Sequence, residues 1–229
     1  MKKIISILSI FTILFFSTNS ALAVSNPDAV EKEMLEEMNN FEEITNEFVI
    51  NDLKNNFKKF SHTLTVSNDL LNYHEAKAYN VKNSNIKVLS VPVNDGENYH
   101  EISNVSIYFD KNGEMINRSE AYLSKSDKNT FHVKVIVNDE VLTDEVTNDP
   151  FITAEEYQQK DDRLVQTYGV NWDTFLNCMG IPGVTASLIS SACGVACAVT
   201  AGAGCIACAS FVLGFNAGSI SGCLTNSWE

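Results

Sequence analysis

No cysteine occurs in the first 177 residues of this chain of 229 residues, and no charged residue occurs between Asp173 and Glu229. All the cysteines lie together in the uncharged segment from Asn177 to Trp228. This segregation indicates two unlike parts on one chain. A small apolar domain that is dense in cysteine usually depends on disulfides, because its core is too small to keep it folded.

Basic residues are scarce outside that segment. Removing Lys2, Lys3 and Glu229 from the totals of 16 basic and 29 acidic residues leaves 14 against 28, a net charge of −14 for residues 24–173. Nucleic-acid binding requires a basic face, which this composition does not provide. We therefore expect no nucleic-acid partner.

Catalytic and metal-binding patterns are also absent. The histidines are spread without the spacing of metal ligands, no Gly-x-Ser-x-Gly turn occurs, and the Asp110-Lys-Asn-Gly113 stretch lacks the other ligands of a calcium loop; the histidines are His62, His74, His100 and His132. We expect a protein that is not an enzyme and has no metal or cofactor. An exported enzyme with an unrecognised site is the alternative.

The first 23 residues have the layout of a secretory signal peptide. Two lysines precede an apolar run from Ile4 to Phe16, and the small-residue sequence Ala21-Leu-Ala23 follows. This layout predicts cleavage after Ala23 and secretion, which permits disulfides. An uncleaved N-terminal anchor is the alternative.

Residues 24–148 are predicted to form an acidic α+β domain. Apolar residues at three- and four-residue steps from Val30 predict an amphipathic helix that runs, with a break near Asn51, to Phe60. Alternating residues then predict strands at 62–66, 75–79, 86–89, 102–109, 121–123, 131–137 and 141–142. Polar turns at 94–96, 110–113, 126–129 and 138–139 separate them. The predicted fold is an N-terminal helix on an antiparallel, meander-like sheet.

Residues 149–170 are predicted to be a helical linker with a processing site. Asp149-Pro150 should break the sheet, and a helix is expected over 153–168 because Thr153-x-x-Glu156 forms a capping box and Gly169 suits its end. The polar middle of this helix favours proteolysis, so we expect cleavage between residues 148 and 177.

Residues 171–229 are predicted to form a disulfide-stapled helical hairpin. Its six cysteines fall into three pairs that share one midpoint in the sequence, near Thr200. The flexible Gly202-Ala-Gly204 follows just after this midpoint and suits a reversal of the chain. The symmetry favours the nested disulfides Cys178–Cys223, Cys193–Cys208 and Cys197–Cys205. Six cysteines allow many other pairings. Four of them, Cys193, Cys197, Cys205 and Cys208, could instead bind zinc.

Small and apolar residues fill the stretch from 184 to 215. It is long enough to cross a bilayer once or to form two short apolar helices, although an ordinary buried core has the same composition. Because the segment has no lysine or arginine, we expect it to act on a membrane or a membrane receptor.

The order of an export signal, a cysteine-free acidic domain and an uncharged cysteine-rich tail resembles halocin-type bacteriocin precursors of the C-eight kind. The tail sequence that carries the resemblance is Cys-Gly-Val-Ala-Cys-Ala-Val-Thr-Ala-Gly-Ala-Gly-Cys-Ile-Ala-Cys, residues 193–208. The resemblance covers about a quarter of the chain. It implies an N-terminal immunity protein joined to a C-terminal antimicrobial peptide that proteolysis releases.

The sequence thus predicts a secreted bacteriocin precursor. The C-terminal peptide antibiotic is expected to kill competing bacteria, and the N-terminal domain is expected to provide immunity or masking. The expected partners are a target-cell membrane or membrane receptor, a processing protease, and the N-terminal domain with its own C-terminal peptide. The alternative is an exported surface binding protein held by a C-terminal hydrophobic hairpin.

Overall fold

The computed structural model of the protein describes residues 40–95, 97–160 and 176–199. The predicted signal peptide with its cleavage site at Ala23, the first half of the predicted N-terminal helix and the second arm of the predicted hairpin lie outside these residues.

A seven-stranded antiparallel sheet, with strands in chain order, forms the centre of the fold. The strands are β1 (Phe41–Glu43), β2 (Lys77–Val81), β3 (Lys87–Pro92), β4 (Asn104–Phe109), β5 (Met115–Lys125), β6 (Thr130–Val137) and β7 (Glu140–Pro150). Each strand pairs with the next one along the chain. The predicted antiparallel meander of an α+β fold is therefore confirmed.

Among the described residues, the sheet is accompanied by the α-helices α1 (Glu47–Phe60), α2 (Ala154–Lys160) and α3 (Gly183–Val199). Helix α1 passes through Asn51 without interruption, so the predicted break there is wrong. The predicted continuation of this helix back through Phe41 is also wrong, because Phe41 pairs with Val81 in β1. Asn46 separates the two elements: its side chain accepts hydrogen bonds from the first turn of α1 and fixes the start of the helix.

Replacing Asn46 by Ala is expected to lower the free energy of unfolding by about 1 kcal/mol. Asn46 Oδ1 accepts from the amides of Phe48, at 3.0 Å, and Val49, at 3.3 Å, and Ala leaves both donors without this partner. Urea denaturation of Asn46→Ala and Asn46→Ser measures the effect. Ser restores most of the loss if capping is the cause, whereas equal losses in the two variants contradict it.

Three predicted turns are confirmed as strand connections. Asn138 and Asp139 join β6 to β7 with φ of 48° and 70°, as the favoured two-residue hairpin turn requires. The Asp110 loop joins β4 to β5, and its carboxylate accepts from the amides of Asn112 and Glu114. Ser126–Asn129 closes the β5–β6 hairpin with a hydrogen bond from the Asn129 amide to the Ser126 carbonyl.

Two local predictions are wrong. Residues 62–66 do not form a strand: the Thr63 hydroxyl bonds back to the Phe60 carbonyl in a short 3₁₀ turn, and the Thr65 amide donates to Glu120. The predicted compact turn at 94–96 is part of a longer connection between β3 and β4. There Asp95 Oδ1 accepts from the amides of Asn98 and Tyr99, which organises a loop instead of a tight hairpin.

Strand β7 ends at Pro150, so the sheet ends at the predicted Asp149-Pro150 break. Proline is tolerated at the end of a strand that lies last in the sheet order, because its missing N–H leaves no central ladder bond unmade. The chain thus stays in the sheet past residue 148, where the sequence predicts the acidic domain to end. Beyond it, the predicted helix is present as α2, and the described part ends at Lys160.

Successive side chains of each strand point to opposite faces of the sheet, and both faces carry apolar residues. On one face α1 buries Leu53 and Phe57 against a core that includes Ile107 and Phe109. On the other face β5 and β6 present a second core, which packs against Ala154 of α2, residues 176–181 and α3. No helix among residues 40–95, 97–160 and 176–199 is long and apolar enough to cross a membrane.

Candidate functional site: the face that covers the C-terminal segment

The docking face is the apolar surface of the sheet on the side opposite α1. It consists of buried side chains from β5, β6 and the loop before β4: Ile102, Ala121, Leu123, Phe131, Val133, Val135 and Val137. The chain after the sheet covers it with Ala154, Leu176, Met179, Ile181, Ile189, Ala192 and Cys193, which are buried as well. The segment predicted to be a separate peptide therefore shares a core with the acidic domain.

Strand alternation and helical spacing produce this contact. Successive odd-numbered residues of β6 point to one face, so Phe131, Val133 and Val135 form a continuous apolar row. In α3, Ile189, Ala192 and Cys193 are spaced by three and four residues and therefore lie on one side of the helix. Because two of these three side chains are small, the helix can approach the sheet closely.

His100 fixes the turn that precedes α3. Its ring is fully buried, and Nε2 lies 2.9 Å from the carbonyl oxygen of Met179. A carbonyl can only accept, so Nε2 donates and Nδ1 is left to accept from the amide of Ile102 at 3.4 Å. The acidic domain thus holds the C-terminal segment by a directional bond as well as by apolar contact.

Burial lowers the pKa of His100 below its ordinary value of 6.5, because the charged ring would lose its hydration; the carboxylate of Glu101, 3.6 Å from Nδ1, acts in the opposite direction. The unfolded chain therefore binds a proton at His100 more readily than the folded chain does. Protonation would also remove the acceptor for the Ile102 amide.

Acidification below pH 6.5 is accordingly expected to destabilise the docked arrangement, while the contribution of His100 stays constant above that pH. The loss amounts to at most about 1.4 kcal/mol for each pH unit between 6.5 and the lowered pKa of the folded state. Urea denaturation between pH 5 and 8 tests this for the wild type and for His100→Gln, which keeps a donor for Met179 but does not titrate there. Identical pH profiles for the two proteins contradict the role given to His100.

A carboxylate from β7 caps α3. Asp149 Oδ2 accepts from both the amide and the hydroxyl of Thr185, each at 2.9 Å, and Thr147 Oγ1 lies 3.2 Å from the same hydroxyl. Thr185 is the third residue of α3, where helix amides have no intrahelical acceptor. The negative charge also suits the positive end of the helix dipole.

A second carboxylate caps α2. Glu101 Oε2 accepts from the Ala154 amide at 3.0 Å and Oε1 accepts from the Glu155 amide at 3.2 Å. The predicted capping box is confirmed as well: the Glu156 amide donates to the Thr153 hydroxyl at 3.1 Å, and Glu156 Oε2 accepts from the Thr153 amide at 3.2 Å. A carboxylate from the loop before β4 thus caps α2, and one from β7 caps α3.

Gly180 lies in the turn before α3 and allows this turn to pack closely against α2. Gly180 has φ of 75°, and the Ile181 amide next to it donates to the Leu176 carbonyl at 2.9 Å. A Cβ on Gly180 would lie 2.7 Å from Cβ of Tyr157 in α2. Glycine is therefore needed for its conformation and for the close approach of Tyr157.

The predicted disulfide residues are described in part. Cys193 is buried in the docking face, Cys178 packs against it, and both are disulfide-bonded, so neither described cysteine side chain carries a free thiol. Cys197 lies in α3, four residues after Cys193. Cys205, Cys208 and Cys223 lie outside the described residues, and each predicted pair includes one of them. The pairing therefore stays a prediction.

Another buried polar group lies on the α1 face. Glu120 Oε2 accepts from the Thr65 amide at 2.8 Å and from the Tyr122 hydroxyl at 2.6 Å, and Arg118 Nε lies 3.1 Å from Oε1. Burial and the neighbouring carboxylate raise the pKa of Tyr122, which keeps its hydroxyl a donor. These contacts fasten the loop after α1 to the sheet. No group of three potential metal ligands occurs among the residues that the structure describes.

Sequence reasoning did not find Glu101, His100, Asp149, Thr185 or Gly180 as members of the site. A glycine beside Ile-Pro182 signals a turn, and Thr185 near a helix start signals a cap. No local pattern indicates the partners of these residues on the sheet.

No protein-family model, no curated protein and no solved structure matches this chain.

Proposed function

We propose that this protein is the secreted precursor of an antibacterial peptide, formed by its cysteine-rich C-terminal segment, and that the sheet domain masks this peptide until proteolysis. The observation that carries the proposal is the docking face. It covers the apolar side of α3 and of the turn before it, although the sequence divides the chain sharply between an acidic part and an uncharged, cysteine-rich part.

The proposed masking rests on the burial of apolar side chains of the C-terminal segment. Ile181, Ile189 and Ala192 are almost fully removed from solvent by the sheet. If the segment were free, these side chains would add to an uncharged surface that tends to associate or to enter a membrane. The precursor is therefore expected to be water-soluble and inactive on membranes.

Release requires two steps. A protease first cuts the chain between residues 148 and 177, and the C-terminal fragment then leaves the docking face. A cut between residues 161 and 176 leaves His100 and Asp149 on the sheet domain and Met179 and Thr185 on the fragment, so the contacts between them stay intact. In the producing cell, the same face can retain or recapture the peptide, and this accounts for immunity.

The released peptide would act at the membrane of a competing bacterium, either on the lipid or on a membrane receptor. The proposed disulfides hold it in one conformation before it binds, which lowers the entropic cost of association. Residues 171–229 contain no lysine or arginine, so insertion, rather than attraction to anionic headgroups, supplies the binding free energy.

Three samples of the purified protein test the proposal: the intact precursor, the precursor cut in its linker, and the C-terminal fragment separated under denaturing conditions and returned to buffer. Killing of related bacteria and dye leakage from lipid vesicles are expected for the separated fragment and not for the intact precursor. Reduced and alkylated fragment is the matched control and is expected to lose activity. A separated, oxidised fragment that neither kills nor causes leakage across many strains rejects the antibacterial role.

A further inference from the structure

Apolar contact alone gives the docking face little ability to distinguish its own peptide from another small, apolar helix. The hydrophobic effect is non-directional and depends mainly on the area buried. Ile189 and Ala192 could be matched by similar side chains of an unrelated peptide. Discrimination therefore has to come from polar groups whose partners must be present in the correct place.

Thr185 is such a group. Its side chain is fully buried at the start of α3, between the helix and β7. The hydroxyl donates to Asp149 Oδ2 at 2.9 Å and lies 3.2 Å from Thr147 Oγ1, whose proton it can accept. Both the donor and an acceptor capacity of the hydroxyl are used, and each partner lies on the strand.

We propose that Thr185 is the specificity determinant by which the sheet domain recognises its own C-terminal peptide. Asp149 and Thr147 are the groups that bind its hydroxyl. This inference rests on the proposed masking function and names the residue that makes the masking selective. The partner that fits is a helix whose third residue carries a hydroxyl and offers its own backbone amide to Asp149. The side of this helix that faces the sheet carries small apolar side chains.

Loss of the hydroxyl has a larger consequence than the loss of one contact. Valine has nearly the shape of threonine and fills the same space, but it removes one of the two donors to Asp149 Oδ2, of which only the amide of residue 185 remains. It also leaves the buried Thr147 hydroxyl without the acceptor that Thr185 provides. A buried polar group that loses its partner is left with an uncompensated desolvation cost. A peptide without the hydroxyl is therefore held more weakly, even when its apolar face is unchanged.

The test uses the full chain with a protease site placed within residues 161–170. After cutting, exchange of the C-terminal fragment against labelled wild-type fragment gives its dissociation rate. Thr185→Val is expected to raise this rate about 10–100-fold, as expected for losing a hydrogen bond to a charged group. Thr185→Ser is expected to stay near the wild-type rate, as is Ser187→Ala, which removes an exposed hydroxyl from the same helix.

A double-mutant cycle separates recognition from a general loss of stability. In the Asp149→Asn background, Thr185→Val is expected to raise the dissociation rate by a much smaller factor than in the wild type, because one partner has already been altered. Equal factors in the two backgrounds, or a Thr185→Val rate equal to that of Ser187→Ala, overturn the proposal. Dissociation is measured without bacteria, so failure of the peptide to kill leaves this result unaffected.

Discussion

Replacement of Phe131 by Ala is expected to lower the free energy of unfolding by about 3–5 kcal/mol, the usual range for deleting a buried aromatic ring. Phe131 is fully buried at the centre of the docking face. Its ring lies 5.1 Å from that of Phe151 and 5.9 Å from that of His100, measured between centroids. The substitution leaves a cavity between the sheet and the C-terminal segment, so docking is expected to weaken along with global stability.

The matched control is Phe48→Ala, because Phe48 is 83% exposed on α1 and its removal leaves no cavity. Chemical denaturation of the two variants should give a large loss for Phe131→Ala and a change within about 0.5 kcal/mol for Phe48→Ala. Binding of a hydrophobic dye should increase for Phe131→Ala alone. Similar stabilities for the two variants contradict the assignment of Phe131 to a docking core.

Replacement of Gly180 by Ala is expected to cost about 2–4 kcal/mol, from the left-handed backbone conformation and the overlap with Tyr157 together. The conformation at φ of 75° alone costs an alanine about 1–2 kcal/mol. The added Cβ would meet Cβ of Tyr157 at 2.7 Å, so α2 and the turn before α3 have to move apart.

Gly183→Ala is the control, because a Cβ there meets nothing within 4 Å. It lies at the start of α3 and is expected to be neutral or slightly stabilising. Measuring Gly180→Ala in a Tyr157→Gly background separates the two causes, because glycine removes the Cβ that the new methyl group would meet. Relative to Tyr157→Gly alone, the substitution should cost less than it does in the wild type, while the backbone strain remains. An equal cost in the two backgrounds shows that the close approach does not contribute.

Much of the sheet could be predicted because its central strands alternate clearly between two apolar faces. The row formed by Phe131, Val133 and Val135 is an example, and the polar turns before and after it are confirmed. For strand β7, the sequence pattern predicts only residues 141–142. Its acidic, largely exposed residues conceal the alternation, since a strand at the end of the sheet order has fewer apolar contacts to satisfy.

The contacts of the site could not be predicted in the same way, because they join residues far apart in the sequence. His100 and Met179 are separated by 79 residues, Glu101 and Ala154 by 53, and Asp149 and Thr185 by 36. Capping and turn signals indicate that a helix end needs a partner, but not which strand supplies it. That choice depends on tertiary packing.

The cysteine pattern and the docking face describe different aspects of the same segment. Composition separates residues 171–229 from the acidic domain, whereas packing places Leu176, Met179 and Ile189 in one core with β5 and β6. The proposed function, storage of an apolar peptide in a precursor, requires both properties. The peptide must differ enough to act alone after release, and it must fit the domain well enough to stay covered before.

Intact-mass analysis of the antibacterial fraction of a producer culture, before and after reduction, tests the central claim most directly. We predict a C-terminal fragment that begins between residues 148 and 177, contains all the cysteines and gains about 6 Da on reduction, as three disulfides require. Full-length protein alone, retained in the membrane fraction with no fragment in the medium, would contradict the account and favour a surface binding protein held by its C-terminal hairpin.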